Sequence, residues 1–207
     1  MNLKFSLNLC LTLSLVPAVF AGDPGSQRGS QPCDALKNTT ILIIRHAEKP
    51  EDGTELTATG YERARDYVGY FNHFQIDGQP LRLDHLFCTA DSKGSQRPRL
   101  TITPLSQALK LRLDNRYSSK DALKLAQNIR AQAYGSELLI CWHHGQIPAL
   151  LQGLGAAPEQ VLPHGKWPDD VFGWLIELRY DAAGRLHETR LIHENLMPDD
   201  QSPLTKP

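Results

Sequence analysis

The chain has 207 residues and a formal net charge of −1, enough for one compact domain with a sizeable core and hardly enough for two. A near-neutral balance without a basic stripe argues against a nucleic-acid partner. No stretch after the first twenty-one residues is long and apolar enough to cross a bilayer as a helix.

The N-terminus reads as a processing signal. Lys4 supplies the positive charge, residues 5–20 the apolar stretch, and Val19, Phe20 and Ala21 a small-residue cleavage site before Gly22. Asn8, Thr12 and Ser14 interrupt the apolar stretch, which argues against an anchor that stays in the membrane. Residues 1–21 are thus expected to be a signal peptide, and the mature protein to be exported, periplasmic or secreted, and without stable membrane insertion. Export changes what the cysteines mean. Cys10 leaves with the signal, and Cys33, Cys88 and Cys141 remain, an odd number that cannot all pair internally. Cys141 lies in the apolar run ELLICW and reads as a core thiol. Cys33 and Cys88 are a candidate disulfide in an oxidising compartment.

Residues 22–38, rich in Gly, Ser and Pro, read as a linker, the domain spans 39–194, and the tail from Asn195, with Pro198, Pro203 and Pro207, is expected to be loose. Within the domain, apolar runs of strand length alternate with segments of helical period. Strands are expected at 40–45, 84–89 and 137–142. Thr59 with Glu62 three residues on resembles a capping box that opens a helix through about Phe74. Pro98 suits the first turn of a helix through about Leu111. A third helix is expected from about Lys120 to Ala133, and a fourth from Ile147 and Pro148 to Gly153–Gly155. Such alternation implies α/β: a three-layer α/β/α architecture around a mainly parallel sheet. VFGWLIELRY and RLHETRLIHE, flanking a turn at Asp181 to Gly184, add a C-terminal antiparallel hairpin.

Ligands of open α/β sheets bind beyond the carboxyl ends of the strands. The first strand delivers Arg45 and His46, with Glu48 just after. The second leads into CTADSKGSQR, with Asp91 near the strand and Arg97 at a helix entrance. The third delivers CWHHG, with His143 and His144. Arginine and histidine arriving from three strand ends suit an anion with several oxygens, because the guanidinium fork donates parallel hydrogen bonds to phosphate. A neutral imidazole beside it is a competent nucleophile towards phosphorus. A second histidine, if protonated, adds charge that stabilises the transition state. No cofactor or metal is needed, and none of the cysteines has metal-site spacing. His73, His85, His164, His187 and His193 are scattered and read as surface or core residues. KWPDD, residues 166–170, fits two roles equally: a stiff wall over the pocket, or a packed turn before the hairpin.

These residues carry a resemblance. IRHAEK is similar to the R-H-x-E signature of the histidine phosphatase superfamily, also called phosphoglycerate-mutase-like. LTATGYERA resembles that family's L-T-x-x-G-x-x-Q-A segment, RPRLTITPLSQAL its R-T-x-x-T-A-x-P-L segment, and LLICWHHGQIPALL the strand and helix around its second histidine. The four matches occur in order over residues 39–155. Ala47 and Glu48, with no later H-D pair, place the likeness with the branch other than phytases and acid phosphatases. The resemblance implies that His46 is the nucleophile and becomes phosphohistidine, with Arg45 and Arg97 clamping the phosphate. For the second histidine, the spacing to Ile147 points to His143, and the W-x-H-x-x-I-P form with the H-G dipeptide points to His144, which we favour. Asp91 is the nearest candidate for the proton donor, and Glu48 is expected to orient the site. The implied activity is hydrolysis of a small phosphomonoester. A phosphomutase, or a phosphate- or phosphoglycan-binding module without turnover, would use the same residues.

Overall fold

The structure is a computed structural model that describes residues 34–201. In chain order the elements are β1 (Thr40–Arg45), α1 (Ala58–Asn72), β2 (Gln75–Ile76), β3 (Gln79–Pro80), β4 (His85–Thr89), α2 (Arg97–Leu109), β5 (Leu113–Tyr117), α3 (Ala122–Ala131), β6 (Glu137–Trp142), α4 (Ile147–Leu154), β7 (Trp174–Tyr180) and β8 (Leu186–His193). Among the described residues, six strands form one sheet in the order β5-β4-β6-β1-β7-β8, and β2 pairs with β3 in a small separate ribbon. The pairs of β5 with β4, β4 with β6 and β6 with β1 are parallel, and β7 is antiparallel to both β1 and β8.

The side-chain period of two in the central strands makes two cores. Ile41, Ile43, Leu138 and Ile140 face one side, where Leu125 and Ile129 of α3 and Leu150, Leu151 and Leu154 of α4 cover them. Leu42, Ile44, Leu139 and Cys141 face the other, against Tyr67 and Phe71 of α1 and Ile102 and Leu105 of α2. Because β1 and β6 are buried on both faces, they read as continuous apolar runs, as expected of parallel strands between helices. The result is the three-layer α/β/α arrangement with a C-terminal antiparallel hairpin.

Several local expectations need correction. The N-cap of α1 is Thr57, whose side chain accepts from the Gly60 N–H. A residue two positions earlier than Thr59 therefore caps the helix, with glycine at the third helical position instead of a capping-box acid. That glycine is required: a Cβ on Gly60 would lie 2.6 Å from the Glu48 carbonyl oxygen. The domain also begins earlier than residue 39, in a short 3-10 turn at Asp34–Leu36 with Leu36 wholly buried. Nor is the tail loose throughout. Met197 is buried and a 3-10 turn follows at Pro198–Gln201. Among the described residues Cys88 and Cys141 are buried and unpaired, whereas Cys33, the other half of the candidate disulfide, and the expected signal peptide lie outside the described residues. No described helix is long and apolar enough to cross a membrane.

Candidate phosphate-binding active site

Parallel pairing brings the carboxyl ends of β1, β4 and β6 to one edge, so the strand-end residues meet. Arg45, the last residue of β1, is wholly buried. Its Nη1 donates to the carbonyls of Pro168, Asp169 and Val171 at 3.1, 2.9 and 2.8 Å, and its guanidinium carbon lies 3.9 Å from the centre of the Phe172 ring. Cation–π stacking and three carbonyl acceptors thus fix one side of the fork. On the other side, Nε and Nη2 are buried with no hydrogen-bond partner among the described residues. Burial lowers the Arg45 pKa to about 10, opposed by Asp169, Glu48 and Asp170, and leaves it cationic at neutral pH.

His46 is 2 % exposed. Its backbone N–H continues the sheet ladder to the Trp142 carbonyl at 3.0 Å, and its Nδ1 lies 2.8 Å from the Ala47 carbonyl oxygen. A carbonyl only accepts, so Nδ1 carries the proton and Nε2 keeps its lone pair. Burial pushes the His46 pKa down to about 3, with Arg45, His143 and Arg97 acting in the same direction and the Ala47 carbonyl against them. The ring is neutral, and its free nitrogen is Nε2.

His143 stands edge-on to His46, with ring centroids 5.1 Å apart at 71°. Burial, then the charges of Arg97, His144 and Arg45, lowers its pKa to about 4. It is therefore neutral in the free protein, and the extra cation that a protonated second histidine would supply is absent there. His144 turns elsewhere: its Nε2 is 2.9 Å from Oδ1 of Asp169, and its Nδ1 is buried without a partner. The histidine that faces His46 is His143, contrary to the preference for His144.

Arg97 is the first residue of α2, followed by Pro98 in the opening turn. Its Nη1 and Nη2 donate to the carbonyls of Gly53 and Gly94 at 2.9 and 3.2 Å, and its Nε is buried and unpartnered. Two arginines thus share one pattern, part of each fork tied down and part without a partner. The two carboxylates singled out from the sequence are engaged elsewhere. Glu48 accepts from Arg63, and Asp91 accepts from Nε of Arg99 at 2.9 and 3.0 Å on an exposed stretch.

Of the two roles expected for the KWPDD segment, the structure shows the packed turn before the hairpin. Trp167 is buried against Trp174 and donates to the Val171 carbonyl, while the next residues supply the carbonyls and the Phe172 ring that hold Arg45. Sequence reasoning missed Phe172, Asp169 and Thr101, whose hydroxyl accepts from the Ala47 N–H at 2.9 Å. It also missed Arg63, which stands where the family segment has glutamine. Among the described residues no group of three His, Cys, Asp or Glu side chains is arranged to hold a metal ion.

No protein-family model matches the sequence, and no curated protein matches it. Solved structures do. A phosphoglycerate mutase from Plasmodium falciparum is 15 % identical over 82 % of this chain and 99 % of its own, with a TM-score of 0.50. A phosphoserine phosphatase variant from Entamoeba histolytica, in complex with phosphoserine, is 13 % identical over 73 % and 96 %, with a TM-score of 0.49. A mycobacterial glucosyl-3-phosphoglycerate phosphatase is 13 % identical over 76 % and 98 %, with a TM-score of 0.45. The chain has a phosphoglycerate-mutase-like fold.

Proposed function

We propose that the protein is an exported phosphatase that hydrolyses a small phosphomonoester through a phosphohistidine on His46. One observation carries this reading: a neutral His46 with its Nε2 lone pair free lies beside Arg45, two of whose N–H-bearing nitrogens are buried and unpartnered. Phosphate oxygens suit those guanidinium groups, and Arg97 adds a third such nitrogen. In the first step Nε2 of His46 attacks phosphorus and the P–O bond to the leaving group breaks. In the second, water attacks phosphorus, the P–N bond breaks and inorganic phosphate leaves. Arg45, Arg97 and His143 are assigned to hold the transferring oxygens. His143 is preferred to His144 because it is the ring that meets His46. Export rests on the N-terminal signal alone.

The test is His46→Ala in the mature protein. Wild type should release inorganic phosphate from an aryl phosphate and, when quenched, show an acid-labile, base-stable phosphoryl adduct. The variant should melt normally, bind phosphate and show neither. Substantial turnover in the variant, or an acid-stable adduct, would place the chemistry on another residue. Isomerised substrate without free phosphate would identify a mutase.

A further inference from the structure

Outside the phosphate-facing cluster, the densest buried charge surrounds Arg63 of α1, whose side chain is 1 % exposed. Its Nε and Nη2 donate to Glu48 at 2.9 and 2.7 Å, its Nη1 and Nη2 to Asp200 at 2.9 and 2.6 Å, and its Nη1 to Glu194 at 3.2 Å. These contacts match all five N–H donors of a guanidinium. Three carboxylates therefore meet one cation. Burial raises the Glu194 pKa to about 8, and Tyr67 bonds to both of its oxygens at 3.0 and 3.1 Å. A protonated Glu194 leaves Arg63 between two anions, Glu48 and Asp200.

The three carboxylates come from two distant parts of the chain. Asp200 also accepts from the backbone N–H groups of Leu196 and Met197 at 3.0 and 2.9 Å, and it packs so closely on Gly173 that a Cβ there would lie 2.2 Å from its carboxyl carbon. The segment after β8 is thereby folded onto Arg63. Glu48 lies two residues after His46, and its carbonyl accepts from the Thr57 N–H at 3.0 Å. The Ala47 carbonyl, which receives the His46 Nδ1 proton, belongs to the peptide joining Ala47 to Glu48. Thr101 accepts from the Ala47 N–H on one side of that peptide, and Arg63 binds the Glu48 side chain on the other.

We propose that Arg63, gripped by Glu194 and Asp200 of the C-terminal segment, is a positioning residue. It fixes Glu48, and through residues 46–48 the Ala47 carbonyl that keeps the proton on Nδ1 of His46 and leaves Nε2 to react. This rests on His46 being the nucleophile. The phosphate clamp does not run through Arg63, because Arg45 is held by residues 168–172 and Arg97 by Gly53 and Gly94. Loss of Arg63 should therefore slow the chemical step and spare substrate affinity.

The experiment compares Arg63→Gln and Asp200→Asn with Tyr67→Phe in the full mature chain. Tyr67→Phe removes a bond to Glu194 but leaves the fork on Glu48. Each is measured for melting temperature, for kcat and KM on an aryl phosphate well below that temperature, and for the His46 tautomer by ¹⁵N chemical shifts. Arg63→Gln and Asp200→Asn should lose about ten- to a hundredfold in kcat with KM changed by no more than about twofold, as small misplacements of reacting groups do. Both should show a population of the tautomer protonated on Nε2. Tyr67→Phe should lower the melting temperature and keep kcat and tautomer. An unchanged tautomer and kcat in the first two variants overturns the proposal, as does a kcat loss that simply follows melting temperature across all three. If Arg63→Gln does not fold, the isosteric Asp200→Asn decides alone. If wild type has no phosphatase activity, the proposed function falls, and the tautomer still shows whether Arg63 positions His46.

Discussion

The His46 imidazole should stay uncharged in the free protein at acidities where an ordinary histidine is almost fully protonated. Burial pushes its pKa down to about 3, and Arg45, His143 and Arg97 all disfavour a further positive charge. At about pH 5 an imidazole of ordinary pKa is only ~3 % neutral, whereas one at about 3 is ~99 % neutral, a ~30-fold difference in reactive nitrogen. The same groups give a stability signature. Because the folded pKa values of His46 and His143, about 3 and about 4, lie below the ordinary 6.5, their contribution is fully present above 6.5 and is lost as pH falls through the folded values. The assay is an NMR titration of the histidine ring protons, assigned with His46→Gln and His143→Gln. Arg97→Gln supplies a second check. Arg97 is the first charge after burial to act on His143 and only the third to act on His46, so its loss should raise His143 more. A His46 midpoint near the ordinary value would mean that the buried cationic pocket does not exist in solution, and the nucleophile assignment would lose its physical basis.

Arg97→Lys keeps the charge but loses the fork, and kcat/KM should fall by about tenfold or more, roughly 1.4 kcal/mol or above; a wild-type rate would remove Arg97 from the site. Phosphate release should survive a chelator, since the groups gathered at the site are guanidinium and imidazole; activity abolished by EDTA and restored by zinc or magnesium would refute this. Glu194 has a folded pKa of about 8, above its ordinary 4.5, so the stability that it contributes is complete below 4.5 and is lost as pH rises through 8. Thermal melts should show that alkaline loss in wild type and a flatter profile in Glu194→Gln; identical profiles would mean that Glu194 is not buried as an acid. Ile43→Ala, at a wholly buried position between β1 and the α3 and α4 layer, should cost ~2–5 kcal/mol in denaturant unfolding, and a cost near zero would deny that face of the sheet.

What the sequence made legible was what local chemistry dictates. β1 and β6 fall on the expected residues because strands buried on both faces are unbroken apolar runs, and α2 opens at Arg97–Pro98 because a proline in the first turn gives up no intrahelical hydrogen bond. The polar strand β5, LDNRY, escaped because an edge strand buries little. So did the β2–β3 ribbon, although Asp77 and Gly78 both adopt positive φ, as a two-residue hairpin turn requires. The ionic cluster on Arg63 was invisible for another reason. Its partners lie 15, 131 and 137 positions away, and no local pattern distinguishes an exposed glutamate or aspartate in a proline-rich tail from one that the fold will bury.

The choice between His143 and His144 shows most clearly where sequence runs out. Along an extended strand, alternate residues face alternate sides, so a one-residue difference in pairing exchanges which histidine meets His46. The apolar alternation that usually reveals facing is missing here, because β1 and β6 are buried on both sides. Register settles it. Ile44 pairs with Cys141 and Arg45 with Trp142, and the His46 N–H extends that ladder to the Trp142 carbonyl. The next opposed pair is therefore His46 with His143, whose backbone is still extended at φ −84° and ψ 128°. Ile44 and Cys141 both face the α1 and α2 layer, and two residues further on His46 and His143 share that side. His144 has already entered a 3-10 turn, on the parity of Arg45, and it meets Asp169 in the segment whose carbonyls hold Arg45. Adjacent histidines thus acquire different surroundings from the pleat alone: one faces His46, and the other faces the loop that grips Arg45.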